Sequence, residues 1–357
     1  MDYTSEPRVA GLLLGTAAGD SLGLPGERLG RRTWARRFPG PLRQRFLFGR
    51  GMVSDDTELT VMTAQAVLSS GGDVESFLLS FSWRLRYWLI FLPFGCGWAT
   101  LRAGIRLWAG VSYRESGIVS AGNGAAVRSA VLGALFPDPI ERREFVRLGA
   151  GVTHRDPRAF LGALAVAEMT ALTLVTPAGQ KPDCDDICTR LRVLVSSDPK
   201  WLELVDRMEE GWKDGISVAD FATSIGQGSG VSGYVFDTVP VALFGWYAHY
   251  GDVRATLEAV IRCGGDADST GAIAGALAGA SAGADAIPPE YLDRLTDYPY
   301  SVGFLRRLAT QLTRFSIGVP ASVVPAAYWA IPLRNLVFDV TVLVHVVCRA
   351  LLFCIGR

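Results

Sequence analysis

The chain has 357 residues, 49% of them hydrophobic and 20% charged, which suits a sizeable core and excludes general disorder. Its 35 basic and 35 acidic residues cancel, so the basic excess expected of a sequence-specific nucleic-acid binder is missing. Six cysteines without zinc-type pairs, and only three histidines, argue against a zinc or histidine-rich metal centre. Residues 1–8 are polar and carry no secretory pattern, so free thiols in a cytoplasmic protein are the expectation.

Helical periodicity dominates and strand-like alternation is scarce, which predicts an all-α fold, a compact orthogonal helical bundle. In chain order the apolar repeats predict helices over 9–22, 55–68, 74–92, 125–135, 157–173, 187–195 and 235–250. Between the first two, Arg28, Arg31, Arg32, Arg36 and Arg37 read as a solvated or phosphate-facing surface. The uncharged stretch 87–101 is broken by Pro93, Gly95 and Gly97, so it is expected as a buried element rather than a membrane span. Glycine-rich breaks at 49–51, 122–124 and 226–233 read as loops. Asp156-Pro157 places proline at the first position of a helix.

The segment 271–283 has glycine at every fourth position, leaving one helix face nearly bare. Each glycine costs ~1 kcal/mol relative to alanine in a helix interior, so close packing of another helix has to offset it. Membrane helices dimerise through similar stripes, but the acidic cluster at its start favours a buried core helix. No boundary divides the chain, and one all-α domain is expected over 1–315. An apolar helical extension follows over 316–357. Its stretch 336–355 is long enough to span a bilayer yet carries Asp339, His345 and Arg349. With Asn335 and Thr341 these occupy about half a helical wheel, as on an amphipathic helix docked on the protein, a partner or a membrane surface.

Two acidic clusters carry the chemistry: Ser54-Asp55-Asp56-Thr57 and Asp266-Ala267-Asp268-Ser269, each opening an apolar helix. Taken singly, each is an N-cap with acids placed against the helix dipole. Brought together, four carboxylates and two hydroxyls make an all-oxygen cup suited to Mg²⁺ or Mn²⁺. Gly122-Asn123-Gly124 offers backbone N–H groups to a phosphate or ribose, or is simply a turn. The loop 226–233 lacks the lysine of a P-loop, and no strand precedes it. Thr153-His154 puts an imidazole just ahead of a helix.

The run from Gly11 through Gly19-Asp20-Ser21 to Glu27, then Ser54-Asp55-Asp56-Thr57, then Gly122-Asn123-Gly124, resembles successive blocks of the ADP-ribosylglycohydrolase family. Thr153-His154, 233–238 and 264–275 continue the series, and the resemblance covers 9–295. It implies a dinuclear magnesium or manganese centre with Ser54, Asp55, Asp56, Asp266, Asp268 and Ser269 as ligands. Serine stands at 54 and 269 where threonine is more usual, which keeps the hydroxyl. Glu27 matches the family's mobile glutamate near the metals, and Gly122, Asn123, Gly124, His154 and Tyr234 would face the ADP-ribose.

The implied reaction is hydrolysis of the N- or O-glycosidic bond joining ADP-ribose to a protein side chain or small conjugate. Glu27, Asp55, Asp56 and Asp268 are the carboxylates available to handle the proton. The alternative is a catalytically silent ADP-ribose-binding or structural relative, like the lens crystallins of this family. Loss of the acidic clusters would mark that alternative, and both are intact.

Overall fold

The structure is a computed structural model that describes residues 5–91, 93, 95–194 and 198–354, with side chains described as far as 348. The chain begins with α1 (Glu6–Gly23), α2 (Arg31–Arg37), α3 (Asp55–Ser70), α4 (Val74–Ile90) and α5 (Trp98–Trp108). The middle holds α6 (Gly124–Val127), α7 (Ala130–Leu135), α8 (Pro139–Gly151), α9 (Pro157–Val175), α10 (Cys184–Leu194) and α11 (Pro199–Asp214). Then come α12 (Val218–Ser224), α13 (Val235–Ala248), α14 (Val253–Ile261), α15 (Ala267–Ala282), α16 (Pro289–Leu292), α17 (Val302–Ser316) and α18 (Ile331–Cys354). Among the described residues the only sheet is the antiparallel pair β1 (Leu29–Gly30) and β2 (Gly264–Gly265). The fold is all-α.

Local chemistry sets the helix starts. Asp138, Asp156 and Asp198 each accept a first-turn N–H, and each precedes a proline whose fixed φ suits the first helical position. The helix expected over 125–135 instead breaks into α6 and α7. Buried Arg128 donates to the carbonyls of Gly124 and Gly149 at 2.8 and 2.9 Å, and Ser129 Oγ turns back on Ala126 O at 2.7 Å. Those bonds compete with the helical ladder. The ends expected at residues 92 and 195 lie outside the described residues.

The stretch 87–101 is buried only in part: Trp88, Ala99 and Thr100 lie inside. Tyr87, Ile90 and Trp98 are 57%, 52% and 68% exposed. Between α4 and α5, Gly95 and Gly97 are also exposed. In the basic stretch, Arg32, Arg36 and Arg37 are exposed, while Arg31 donates to Ala219 O at 3.0 Å.

Antiparallel α1 and α15 form the centre. Gly11, Gly15 and Gly19 face Gly279, Gly275 and Gly271, and a Cβ added at Gly15 would lie 2.0 Å from the Gly275 carbonyl oxygen. The two backbones touch, and both helices lie in the core. The glycine stripe of α15 is therefore half of a reciprocal pair. Its antiparallel register carries the C-terminal end of α1, with Asp20 and, four residues past the helix, Glu27, to the N-terminal end of α15, with Asp266 to Ser269.

In α18 the amphipathicity is inverted. Arg334, Asn335, Phe338 and Thr341 are buried against the protein, while Leu336, Val340, Leu343, Val344 and Val347 are exposed. The side chain of Arg349 and residue 355 lie outside the described residues.

Candidate active site

Glycine geometry assembles the site. Gly264 and Gly265 have φ of +70° and +78°, and a Cβ on Gly265 would lie 2.0 Å from Val231 O. Glycine alone allows that approach. Here Arg28 N–H donates to Gly265 O at 2.8 Å, and Asp266 N–H donates to Val231 O at 2.8 Å. The 27–30 segment and the second half of the 226–233 loop are thereby held against the start of α15.

The acidic clusters meet. Ser269 Oγ donates to Asp56 Oδ2 at 2.7 Å across 213 residues of sequence. Asp55, Asp56, Asp266, Asp268, Ser269 and Glu27 line one cavity of about 650 Å³, within the ~300–1,000 Å³ typical of small-molecule sites. Gly122, Asn123, Gly124 and His154 line it too, as do Val231, Ser232 and Gly233. A second cleft of about 530 Å³, lined by Arg31, Lys181, Trp212, His249 and Arg262, contains no carboxylate and none of the motif residues.

Each N-terminus is built by its own residues. Ser54 caps α3, its Oγ accepting from Asp56 N–H at 3.2 Å, and borders an adjoining recess rather than the main cavity. Asp268 Oδ1 accepts from Ser269 N–H at 3.0 Å. Asn123 reaches across, its amide donating to Asp266 Oδ2 at 2.6 Å and Thr238 Oγ1 at 3.0 Å. Its side chain therefore orients a carboxylate.

His154 is buried, with Nδ1 2.8 Å from Thr153 Oγ1. Burial, and then the Arg128 guanidinium, push its pKa down to about 3, so it is neutral at physiological pH. Tyr234 is the exception. Its backbone pairs with Gly122, but its ring packs on Phe236 beneath Arg158 and Lys200 and does not line the cavity.

The electrostatics are lopsided. Five carboxylates border the cavity, and its one arginine, Arg28, is 81% exposed in its side chain and pairs with Glu27 at 3.2 Å. Burial, then Asp20, Glu58 and Glu27, push Asp55 up to about 8. Burial and neighbouring carboxylates also hold Asp56 and Asp268 well above the usual range. Such crowding is costly unless a cation neutralises it. The donor set is hard oxygen throughout, which fits Mg²⁺ or Mn²⁺. Among the described residues, though, no three acidic, histidine or cysteine side chains stand as a ready-made ion-holding group.

Two buried acids that sequence reasoning passed over support the first cluster. Asp20 accepts from Ser54 N–H at 2.9 Å, Thr57 N–H at 3.2 Å and Thr57 Oγ1 at 2.5 Å. Its signal was an acid inside the apolar first helix. Glu58 accepts from Trp88 Nε1 at 2.6 Å. Its signal was a third acid in the first turn of α3.

A sequence model of the ADP-ribosylglycohydrolase family matches residues 1–319. The chain belongs to the ADP-ribosylglycohydrolase family. It is 29% identical over 299 residues to the ADP-ribosyl-[dinitrogen reductase] glycohydrolase of Rhodospirillum rubrum, covering 81% of this chain and 90% of that one. An uncharacterized protein of Archaeoglobus fulgidus is 30% identical over 329 residues, covering 86% and 96% of the two chains. The solved structure of an ADP-ribosylglycohydrolase-related protein complex superposes with a TM-score of 0.63 at 27% identity, covering 87% of this chain and 98% of the other. For an ADP-ribosylglycohydrolase, the acidic cavity is the place to look for chemistry.

Proposed function

We propose that the chain hydrolyses the N- or O-glycosidic bond between ADP-ribose and an acceptor, either a modified protein side chain or a small ADP-ribosyl conjugate. Family membership supports glycosyl-bond hydrolysis of ADP-ribose conjugates. The observation that carries the metal-dependent form is the Ser269–Asp56 bond, which joins the two acidic clusters inside one cavity. In this reading Ser54, Asp55, Asp56, Asp266, Asp268 and Ser269 hold two Mg²⁺ or Mn²⁺ ions. Bound ions would supply charge stabilisation at the sugar and a more acidic water.

The chain's own residues do the rest. Asp20 fixes the Ser54–Thr57 turn, and Asn123 fixes Asp266, so the cup is held in place before substrate arrives. Gly122 and Gly124 leave room for the sugar beside neutral His154. We assign proton handling to Glu27, which is partly exposed at the cavity lip where water reaches it.

A panel of defined ADP-ribosyl linkages, assayed with Mg²⁺ and with Mn²⁺, tests this. ADP-ribose should be released from at least one linkage, and chelator should abolish the release. Activity undiminished in chelator would sink the metal reading. Metal-dependent binding without turnover on every linkage would instead favour the silent, structural relative.

The outward apolar face of α18 supports a second element of the proposal. We read the protein as cytoplasmic, with Leu336, Val340, Leu343 and Val347 resting on a bilayer or an apolar partner surface.

A further inference from the structure

The turn that presents Asp55 and Asp56 is gripped from both sides. Asp20 of α1 holds the N–H groups of Ser54 and Thr57. The opposite side is held by α18, which lies beyond the residues matched by the family. Val53, immediately before the turn, has both backbone groups engaged. Its N–H donates to Asp297 Oδ2 at 3.0 Å, and its carbonyl accepts from Arg334 Nη2. The same Nη2 lies 2.9 Å from Asp297 Oδ2. Arg334 Nη1 lies 3.0 Å from Glu58 Oε1, an ion-pair contact on the first turn of α3. One guanidinium thus ties down Val53, just before the Ser54–Thr57 turn, and Glu58, just after it.

Neighbouring residues of α18 support that guanidinium. Phe338 covers it, ring centroid to Cζ 4.9 Å, and Asn335 Oδ1 accepts from Nη1 at 3.1 Å. Asn335 also donates to Phe91 O at 2.7 Å, at the foot of the loop whose Gly97 N–H reaches Asp55. Further along, Phe338, Val342, His345 and Val346 wall a recess of about 170 Å³ whose other side is Glu27, Asp55 and Asp268. Arg334 is nearly buried, its side chain 6% exposed, which is costly for a cation unless every donor is used. A lysine could not serve these acceptors together, because its ammonium is a single point.

We infer that Arg334 is a positioning residue for the acidic site and that α18 completes the site from outside the family's shared segment. The kinetic part of this inference rests on the function proposed above; the structural part does not.

Hydrogen exchange on the full chain tests the structural part. Arg334→Lys should speed exchange across residues 52–58 by at least about tenfold and leave α9 and α13 unchanged. Leu343→Ser, on the exposed face of the same helix, should leave 52–58 as in the wild type. A folded Arg334→Lys protein with wild-type exchange over 52–58 overturns the inference. If that variant does not fold, Phe338→Leu decides. It leaves every ion pair intact and should speed the same peptide by a smaller factor; no change there overturns the inference.

In the kinetic arm, Arg334→Lys should weaken Mn²⁺ binding, and excess Mn²⁺ should restore kcat while KM for the conjugate stays put. A kcat loss that excess Mn²⁺ does not restore contradicts a positioning role. A wild-type protein that neither takes up Mn²⁺ nor releases ADP-ribose removes the proposed function, and the exchange result still decides whether Arg334 holds the turn.

Discussion

Ser269 and Asp56 are 213 residues apart in sequence and 2.7 Å apart in space, hydroxyl to carboxylate. The antiparallel glycine contact of α1 with α15 makes that meeting structural, because it fixes where α15 begins relative to the turn before α3. Asp268→Asn should abolish ADP-ribose release while the far-ultraviolet circular dichroism spectrum stays unchanged. It also removes one of several mutually repelling buried carboxylates, so in chelator the variant should melt at or above the wild-type temperature. A lower melting temperature would show that the crowding is already neutralised by other means.

Asn123 orients Asp266 through a 2.6 Å amide bond. Partners that orient ligands typically contribute ~10–100-fold to metal affinity or activity. Asn123→Ala should therefore lower Mn²⁺ affinity by about that factor, and Asn123→Asp, whose carboxylate cannot donate to Asp266, should not recover the orienting bond. Equal affinity in the alanine variant would confine Asn123 to its bond with Thr238.

Glu27 lines the same cavity as Asp55 and Asp268 and is partly exposed there. Glu27→Gln should leave Mn²⁺ uptake close to wild type and reduce kcat by ~10²–10⁴-fold, the usual share of general acid–base catalysis. A calorimetric titration beside steady-state kinetics separates the two effects. Loss of uptake would make Glu27 a ligand instead.

His154 gives a pH dependence with a defined sign. Its folded-state pKa lies near 3, while the unfolded chain takes up a proton near the ordinary value of about 6.5. Between those values the unfolded state binds one more proton, so stability falls with falling pH by up to about 1.4 kcal/mol per unit. Urea unfolding of wild type and His154→Gln across this window should show a shallower pH slope in the variant. Parallel slopes would mean that His154 protonates without cost.

The glycine seam predicts opposite outcomes for one substitution type. Gly275→Ala puts a methyl 2.1 Å from the Gly15 carbonyl oxygen and should destabilise by about 3 kcal/mol or more. Gly303→Ala, in α17 with no atom nearer than 3.7 Å, should stabilise by ~0.5–1 kcal/mol. Denaturant midpoints read both.

Local signals carried much of this into the sequence. The glycine ladder of 271–283 declared a close-packed helix, and Ser54 and Asp156 declared helix starts, because capping and small-residue spacing are short-range. The partner stripe at Gly11, Gly15 and Gly19 was equally present, but pairing two stripes needs the tertiary register. Arg334 was illegible for the same reason: Val53, Glu58 and Asp297 are remote in sequence, and its apolar neighbours suggested an ordinary amphipathic packing. Tyr234 shows the opposite failure, since a motif position fixes the backbone but not the direction of the ring. The exposure of Tyr87, Ile90 and Trp98 escaped composition altogether, because an uncharged run looks the same inside and out.

The most direct measurement is anomalous diffraction from a crystal of the full chain soaked in manganese. Two peaks should appear between the starts of α3 and α15, at coordination distance from Asp55, Asp56, Asp266 and Asp268. A cavity that scatters no differently from the metal-free crystal, in a protein that still releases ADP-ribose, would contradict the account.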